Sequence, residues 1–349
     1  MTPTYKKGEY SDESALAVAT LMYQCGVSIK MQYNVGGSGA FSYNAATALR
    51  KNFGYHENLQ IHYRDYYTAK EWMNKVYNEL KAGRPIIYTG VDENNGGHCF
   101  VVDGYDQNNF VHVNWGWDGM NDGYYDIALL NPSGNKFSQG QTMLTGVDKP
   151  TANIEHHSEI VTNDNFKVTK LGFSKLLIND GKYANLSDLD FSGFLGIILE
   201  GNGKQYVLSS QENKGVPNLY YLTKPSSNLC VLPTDLADGI YRVYAASKDD
   251  KDKNWNPVHF AEGNNNSYIL EKSNKTISLT PVTDADWHET TAISNVLYDS
   301  NNASSYVVTY NLEGQQVSKM KSSEFQMNNI PGKGMFILKQ GNKAIKIVK

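Results

Sequence analysis

Helical periodicity occurs three times ahead of Gly83 and vanishes from about Thr151 onward, and this switch constrains the fold more than any other feature. Ala15, Val18, Ala19 and Met22 repeat at i, i+3, i+4 and i+7, with Ser11 as the N-cap and Gly26 as the stop. A second helix is expected from Ser42 to Phe53, ahead of Gly54. In the third, Thr68 and Glu71 spell a capping box, and Met73, Val76, Tyr77 and Leu80 form one stripe that ends at Gly83. Strand-patterned runs follow at 85–89, 98–104, 110–115 and 124–128. Helices ahead of an antiparallel sheet make residues 1–148 an α+β unit.

Beyond that point only β patterns remain, at 166–171, 194–199, 205–209, 239–246 and 267–271. Spacings of roughly 8–12 residues between such runs are those of a sandwich, which sets an all-β domain over 149–285. Residues 249–254 alternate acids as a calcium loop does, but they lack its glycine and terminal glutamate and read as a solvated hairpin tip. Strands at 305–311, 334–339 and 343–348 then form a small β-module over 286–349. A chain of 349 residues exceeds one ordinary core, which agrees with this division.

Composition excludes several function classes. Apolar residues are 40% and charged residues 19%, the balance of a soluble globular chain. No apolar run is long enough to span a bilayer, and no basic segment followed by an apolar one opens the chain as a signal peptide would. A net charge of −4 without a basic block gives phosphate-backbone binding nothing to work with, so nucleic acid is not an expected partner. Three cysteines, Cys25, Cys99 and Cys230, are too sparse for a disulfide framework, and no zinc-type spacing occurs. Neither a metal nor another cofactor is expected.

The densest group of chemically capable residues is Gly96-Gly-His-Cys-Phe-Val-Val-Asp-Gly-Tyr-Asp106, followed by Val113-Asn-Trp-Gly-Trp-Asp-Gly119. His98 follows two glycines and opens a strand, so its ring stands at an accessible strand mouth where a base could meet a substrate. A lone histidine in a strand is more often a satisfied core residue. The asparagine and two tryptophans on the neighbouring strand shift the balance, because such groups can fix the imidazole tautomer and shield it from water.

These residues resemble the streptopain family of papain-fold cysteine peptidases. The likeness lies in Gly-Gly-His-x-Phe-Val-x-Asp-Gly, then His-Val-Asn-Trp-Gly-Trp-x-Gly and an Asp-Gly-aromatic. It extends back through Gly26-Val-Ser-Ile, Met31-x-Tyr33, Gly37-Ser-Gly-Ala40, Ala48-Leu and Asn52-Phe-Gly-Tyr55. Glu79-Leu, Arg84-Pro-Ile-Ile-Tyr-Thr-Gly90 and Leu130-Asn-Pro132 complete it. The resemblance implies a partial papain-like domain over about residues 1–148, followed by the all-β part. It places His98 on the catalytic base, Trp115 and Asn114 where the imidazole is braced, and Gly97, Trp117, Ser38 and Gly39 on the substrate-contacting wall. Glycines at strand mouths also serve turns, and both tryptophans could be core aromatics.

One departure matters more than the match. A papain-type enzyme carries its nucleophilic cysteine on a helix well before the histidine, and the resemblance begins only at about Thr2-Pro-Thr-Tyr5. Cys25 lies beside Gly26, in a stretch similar to family residues downstream of the nucleophile. Cys99 neighbours His98 on a strand and should face the other way. Cys230, in Asn228-Leu-Cys-Val-Leu232, reads as a small buried hydrophobe. A late start, a nicked enzyme and a degenerate binding relative are all open explanations, and the first is favoured because Met1-Thr-Pro-Thr-Tyr5 resembles a family interior.

The expectation is therefore a secreted cysteine endopeptidase whose nucleophile is absent from this chain, leaving the chain inactive. The alternative is a non-catalytic peptide- or surface-binding protein. Implied partners are a protein or peptide substrate and the absent N-terminal segment or a propeptide. Leu236-Ala-Asp-Gly-Ile-Tyr-Arg-Val-Tyr244 and Asn254-Trp-Asn-Pro-Val-His259 resemble β-sandwich modules appended to larger streptopain-like proteases. Val307–Val317, Ile330–Leu338 and Lys346–Lys349 resemble a C-terminal sorting module of secreted bacterial proteins, which implies an extracellular or cell-surface setting. Opening of the cleft should also leave an apolar patch around Trp115 and Trp117.

Overall fold

The computed structural model describes residues 5–6, 8–106, 110–152, 154–155, 157–283, 306–310, 316–321, 335–340 and 343–348. The N-terminal unit begins with α1 (Asp12–Ser28), whose N-cap Ser11 accepts a hydrogen bond from the Ser14 amide. A hairpin of β1 (Gln32–Asn34) and β2 (Gly37–Gly39) leads into α2 (Ser42–Phe53), closed by Gly54 in the left-handed region at φ 68°. The chain then forms β3 (Gln60–Tyr63), a 3₁₀ turn at Arg64–Tyr66, and α3 (Ala69–Lys81), which carries the complete Thr68/Glu71 capping box. Next come β4 (Ile86–Asp92), β5 (Gly96–Tyr105), β6 (Val111–Asn114), β7 (Gly123–Tyr125) and β8 (Gln139–Thr145). All pair antiparallel in the order β3-β8-β4-β5-β6-β7.

Alternation along the central strands sets which residues face the core. On β5, Phe100 and Val102 are buried while Cys99, Val101 and Asp103 are exposed, so His98 shares the core face and Cys99 the opposite one. α3 lays Trp72 and Val76 onto this face, and Tyr88, Val113, Trp115 and Met143 fill the space between. Arg84 donates two hydrogen bonds to Glu79, 2.8 and 2.6 Å long, and Glu79 also accepts from the Gly146 amide at 2.7 Å. That carboxylate ties the end of α3 to the start of β4 and the end of β8.

The first helix departs from its sequence reading. It runs through Gly26 to Ser28, because Gly26 packs where a β-carbon would lie 1.8 Å from the Tyr33 hydroxyl; this glycine serves a close approach, not a stop. Gly26 is also its only buried residue, and Met22, expected on the core stripe, is 68% exposed.

The β-rich part holds β9 (Ile160–Thr162), β10 (Lys167–Leu171), β11 (Lys175–Asn179), β12 (Ala184–Asn185), β13 (Phe191–Gly201) and β14 (Lys204–Val216). It continues with β15 (Leu229–Val231), β16 (Gly239–Asp249), β17 (Asn256–Pro257), β18 (His259–Phe260), β19 (Asn265–Ser273) and β20 (Thr276–Thr283). The sheet β14-β13-β16-β19-β20, with β17 on β16, shares one apolar core with the smaller sheets β10-β11-β15 and β12-β9-β18. Cys230 lies in that core. The 249–254 loop is not wholly a solvated tip, since Asp249 is buried and accepts a 2.7 Å hydrogen bond from Ser158. A separate sheet, β22-β21-β23-β24, comprises β21 (Tyr306–Tyr310), β22 (Gln316–Lys321), β23 (Met335–Gln340) and β24 (Lys343–Val348). Much of the 286–349 segment, including most of the sorting-like motif at 330–334, lies outside the described residues.

The two larger units touch through polar contacts. Arg50 pairs with Asp188, Arg64 with Glu262 at 3.2 Å, and the Tyr66 hydroxyl donates to Asn163 at 3.0 Å.

Candidate active site

His98 sits at the beginning of β5, opposite Gly90 of β4, with its ring half-buried. Its Nε2 lies 2.9 Å from the backbone carbonyl oxygen of Trp115. A carbonyl can only accept, so Nε2 carries the proton, and in the neutral ring the lone pair resides on Nδ1. The acceptor thus assigns the tautomer: one nitrogen is anchored and the other is left as a base.

Two further hydrogen bonds fix the carbonyl. The Gly116 amide, which belongs to the same peptide group as the Trp115 carbonyl, donates to Asn114 Oδ1 at 2.9 Å. That bond polarises the peptide so that its oxygen becomes a better acceptor for the imidazole. The Trp115 amide donates to Asp122 Oδ1, also at 2.9 Å. Gly116 turns the chain here at φ 75°, a conformation that suits glycine.

The ring is enclosed by aromatic neighbours. Trp117 lies 4.8 Å away between centroids, Phe137 5.4 Å, Phe100 6.0 Å and Trp115 6.2 Å. Phe137 reaches this position because Gly90 has no side chain; a β-carbon there would meet the Phe137 carbonyl oxygen at 2.2 Å. That oxygen also accepts from Gln141 Nε2, at 3.2 Å, while Gln141 Oε1 accepts from Tyr88 and Tyr88 in turn from Trp72, both at 2.8 Å. Asp92 supplies a second tether. Its carboxylate accepts from the amides of Asn94 and Asn95 at 2.8 and 2.9 Å and from that of Lys136 at 2.5 Å. The amide of Lys136, then those of Asn94 and Asn95, hold this carboxyl below its usual range. The hairpin carrying His98 is thereby bound to the loop carrying Phe137.

Of the residues expected at the site, His98, Gly97, Trp115 and Trp117 are brought together. Asn114 does not touch the imidazole with its side chain, as a direct brace would; the oxygen turns to the Gly116 amide because the chain reverses there. Ser38 and Gly39 lie on the exposed β1–β2 hairpin, and none of the ring or hydrogen-bond contacts of His98 described above comes from it. Trp115 adds nothing to the apolar patch expected around it, because its side chain is fully buried; Trp117 keeps partial exposure, and Met120, whose amide donates to the Trp117 carbonyl, is exposed. Among the described residues no cluster of metal-ligating side chains occurs.

Four contributors escaped the sequence reading: Phe137, Gly90, Asp92 and Asp122. Asp122 opens the Asp-Gly-aromatic triplet of the resemblance, so its place could have been found there. Phe137 has no local signal, because only the sheet order brings its loop across β4.

An antiparallel sheet preceded by helices, with an anchored and half-buried histidine at its rim, makes this an α+β, peptidase-like unit. The Peptidase C10 family matches residues 1–125. Streptopain of Streptococcus pyogenes is 39% identical over 131 residues, which cover 38% of this chain and 32% of that protein. The thiol protease/hemagglutinin PrtT of Porphyromonas gingivalis is 36% identical over 150 residues, covering 41% of this chain and 17% of that one. The solved structure of Prevotella intermedia interpain A, a cysteine protease, is 44% identical, covers 40% of this chain and 60% of its own, and superposes with a TM-score of 0.39. The N-terminal part of the chain is thus streptopain-like, matching a cysteine-peptidase family over residues 1–125. The chain as a whole spans about a third of the length of the streptopains it matches.

Proposed function

We propose that residues 1–148 supply the histidine half of a cysteine endopeptidase, with His98 as the base. The observation that carries this reading is the asymmetric imidazole: Nε2 bound to the Trp115 carbonyl and Nδ1 left for chemistry. In such a reaction a cysteine thiolate attacks the peptide carbonyl, and the His98 imidazolium gives its Nδ1 proton to the leaving amine. Water then enters, Nδ1 takes its proton, and the acyl group is released. The substrate is a protein or peptide. Trp117, half-exposed beside the ring, and Gly97, without a side chain, form the wall along which it lies. Asn114 acts through the Gly116 peptide as a positioning residue. Ser38 and Gly39 contribute the far wall.

None of the three cysteines suits the role of nucleophile. Cys99 points to the other face of β5, Cys230 is in the β-rich core, and Cys25 lies near the exposed C-terminal end of α1. On this reading none of these cysteines is the nucleophile, and the 349 residues by themselves are inactive. The exposed α1 side chains Leu16, Met22, Tyr23 and Val27 support a covering segment. The β-rich units, with boundaries near 149–285 and 286–349, serve an extracellular or surface setting. Among the described residues, no helix is long and apolar enough to cross a membrane.

The test is thiol-dependent cleavage of casein by the chain joined to its upstream coding sequence. His98→Ala should lower turnover by about 10⁴-fold or more. Undiminished cleavage in that variant would overturn the assignment. So would stoichiometric inactivation of the present chain by a thiol-directed inhibitor at Cys25 or Cys99. Peptide binding without turnover in the extended protein would favour the non-catalytic alternative.

A further inference from the structure

The junction between the α+β unit and the β-rich unit is organised around one buried carboxylate. Glu159, just ahead of β9, is 4% exposed, and its Oε2 accepts from the Tyr67 hydroxyl at 2.6 Å. The same oxygen lies 3.1 Å from Nδ1 of His62, itself 3% exposed on β3. His62 Nε2 is 3.0 Å from the Thr145 hydroxyl at the end of β8. Tyr67 has a single proton and gives it to the carboxylate, so Nδ1–H donates to Glu159 and Nε2 accepts from Thr145. A neutral imidazole thus satisfies both of its own nitrogens, while Glu159 Oε1 is buried without a hydrogen-bond partner among the described residues.

The β-rich unit closes over this group. His259 of β18 places its ring 4.4 Å from that of Tyr67, and β18 pairs in parallel with β9. A cavity of about 340 Å³ opens beside the cluster. Its charged and titratable walls are Lys75 and Glu71 from α3, Arg242 from β16, and His157 and His259 around Glu159. Solvent protons therefore have a route in, and the Lys75 cation opposes further positive charge on either histidine.

We propose that this junction is an acid-released latch, in which protonation of His62, seconded by His259, frees the β-rich unit from the α+β unit. The polarity of the site supports the direction. Burial first, then the Lys75 cation, pushes the His62 imidazole down to about 4, and burial lowers His259 as well. Burial, the largest influence, would raise Glu159, but the hydrogen bond from His62 and the positive potential of the surrounding His62, His259 and Lys75 side chains hold it below the usual carboxylate range. Once released, both imidazoles take up protons near their ordinary value of about 6.5. Docking is strongest above that value and weakens as pH falls, by up to about tenfold per pH unit for each histidine. Glu159 adds to the loss only below its ordinary 4.5. The Tyr66–Asn163 bond and the hydrogen bond from the Glu262 amide to the Asp65 carbonyl do not titrate in this window.

Small-angle scattering and far-UV circular dichroism of the full chain, between about pH 7.5 and pH 5, test the latch. The radius of gyration should rise on acidification while secondary structure stays constant. His62→Gln, whose amide can donate to Glu159 and accept from Thr145 without titrating, should stay compact to lower pH. Glu159→Gln should be expanded already at neutral pH. Constant dimensions in the parent chain, expansion only with loss of secondary structure, or an unaltered pH response in both variants would each overturn the proposal.

Discussion

Two imidazoles in the same sheet, His62 on β3 and His98 on β5, are held in opposite ways. His62 is buried, with Glu159, Tyr67 and Thr145 accounting for both its nitrogens. His98 is half-buried, with only Nε2 anchored and aromatic rings on its flanks. A ring whose hydrogen bonds are all satisfied serves structure, or at most senses charge. A ring with one nitrogen fixed and the other unspent can move a proton to or from something else. The contrast separates a structural histidine from a candidate base without appeal to sequence position.

The largest expected effect falls on the floor beneath His98. Trp115→Ala should cost about 3–5 kcal/mol in urea unfolding, since a fully buried indole at the core of the aromatic group is lost. A cost near zero would mean that Trp115 is not the floor of the imidazole site. Glu159→Ala comes next, at about 2–4 kcal/mol, because Tyr67 and His62 would be left as buried donors without an acceptor. A smaller loss there would place water where the carboxylate is removed and blur the contrast.

Asn114→Ala should cost about 1 kcal/mol or less, through the single hydrogen bond from the Gly116 amide. Smallest of all should be His98→Ala, within about 1 kcal/mol of the parent, as expected for one bond from a half-buried ring. A His98 variant as unstable as the Glu159 variant would turn His98 into a second structural histidine. Acidification should act in the same order. Stability should fall below about pH 6.5 through His62, whose pKa is depressed in the native state, and His62→Gln should flatten that fall.

Local signals were legible in the sequence, and long-range ones were not. The α2 boundaries with Gly54, the capping box at Thr68 and Glu71, and the central strands follow from periodicity and turn chemistry. β3 and β8 went unread, because each depends on the other as partner and neither alternates clearly. Gly26 was misread as a stop because its reason, the ring of Tyr33, comes from the next hairpin. At the site, the Gly-Gly-His and Asn-Trp-Gly-Trp motifs brought His98, Trp115 and Trp117 together. That the brace would be a backbone carbonyl, with Asn114 acting one peptide removed, requires the turn at Gly116 and has no residue-type signature.

The central claim is that the Trp115 carbonyl fixes His98 with its proton on Nε2 and its lone pair on Nδ1. Long-range ¹H–¹⁵N NMR of the ¹⁵N-labelled chain at a pH where the ring is neutral reports that tautomer directly, with His98→Ala giving the assignment. A protonated Nε2 and a bare, pyridine-type Nδ1 are expected. A proton on Nδ1, or rapid averaging between the two nitrogens, would contradict the account.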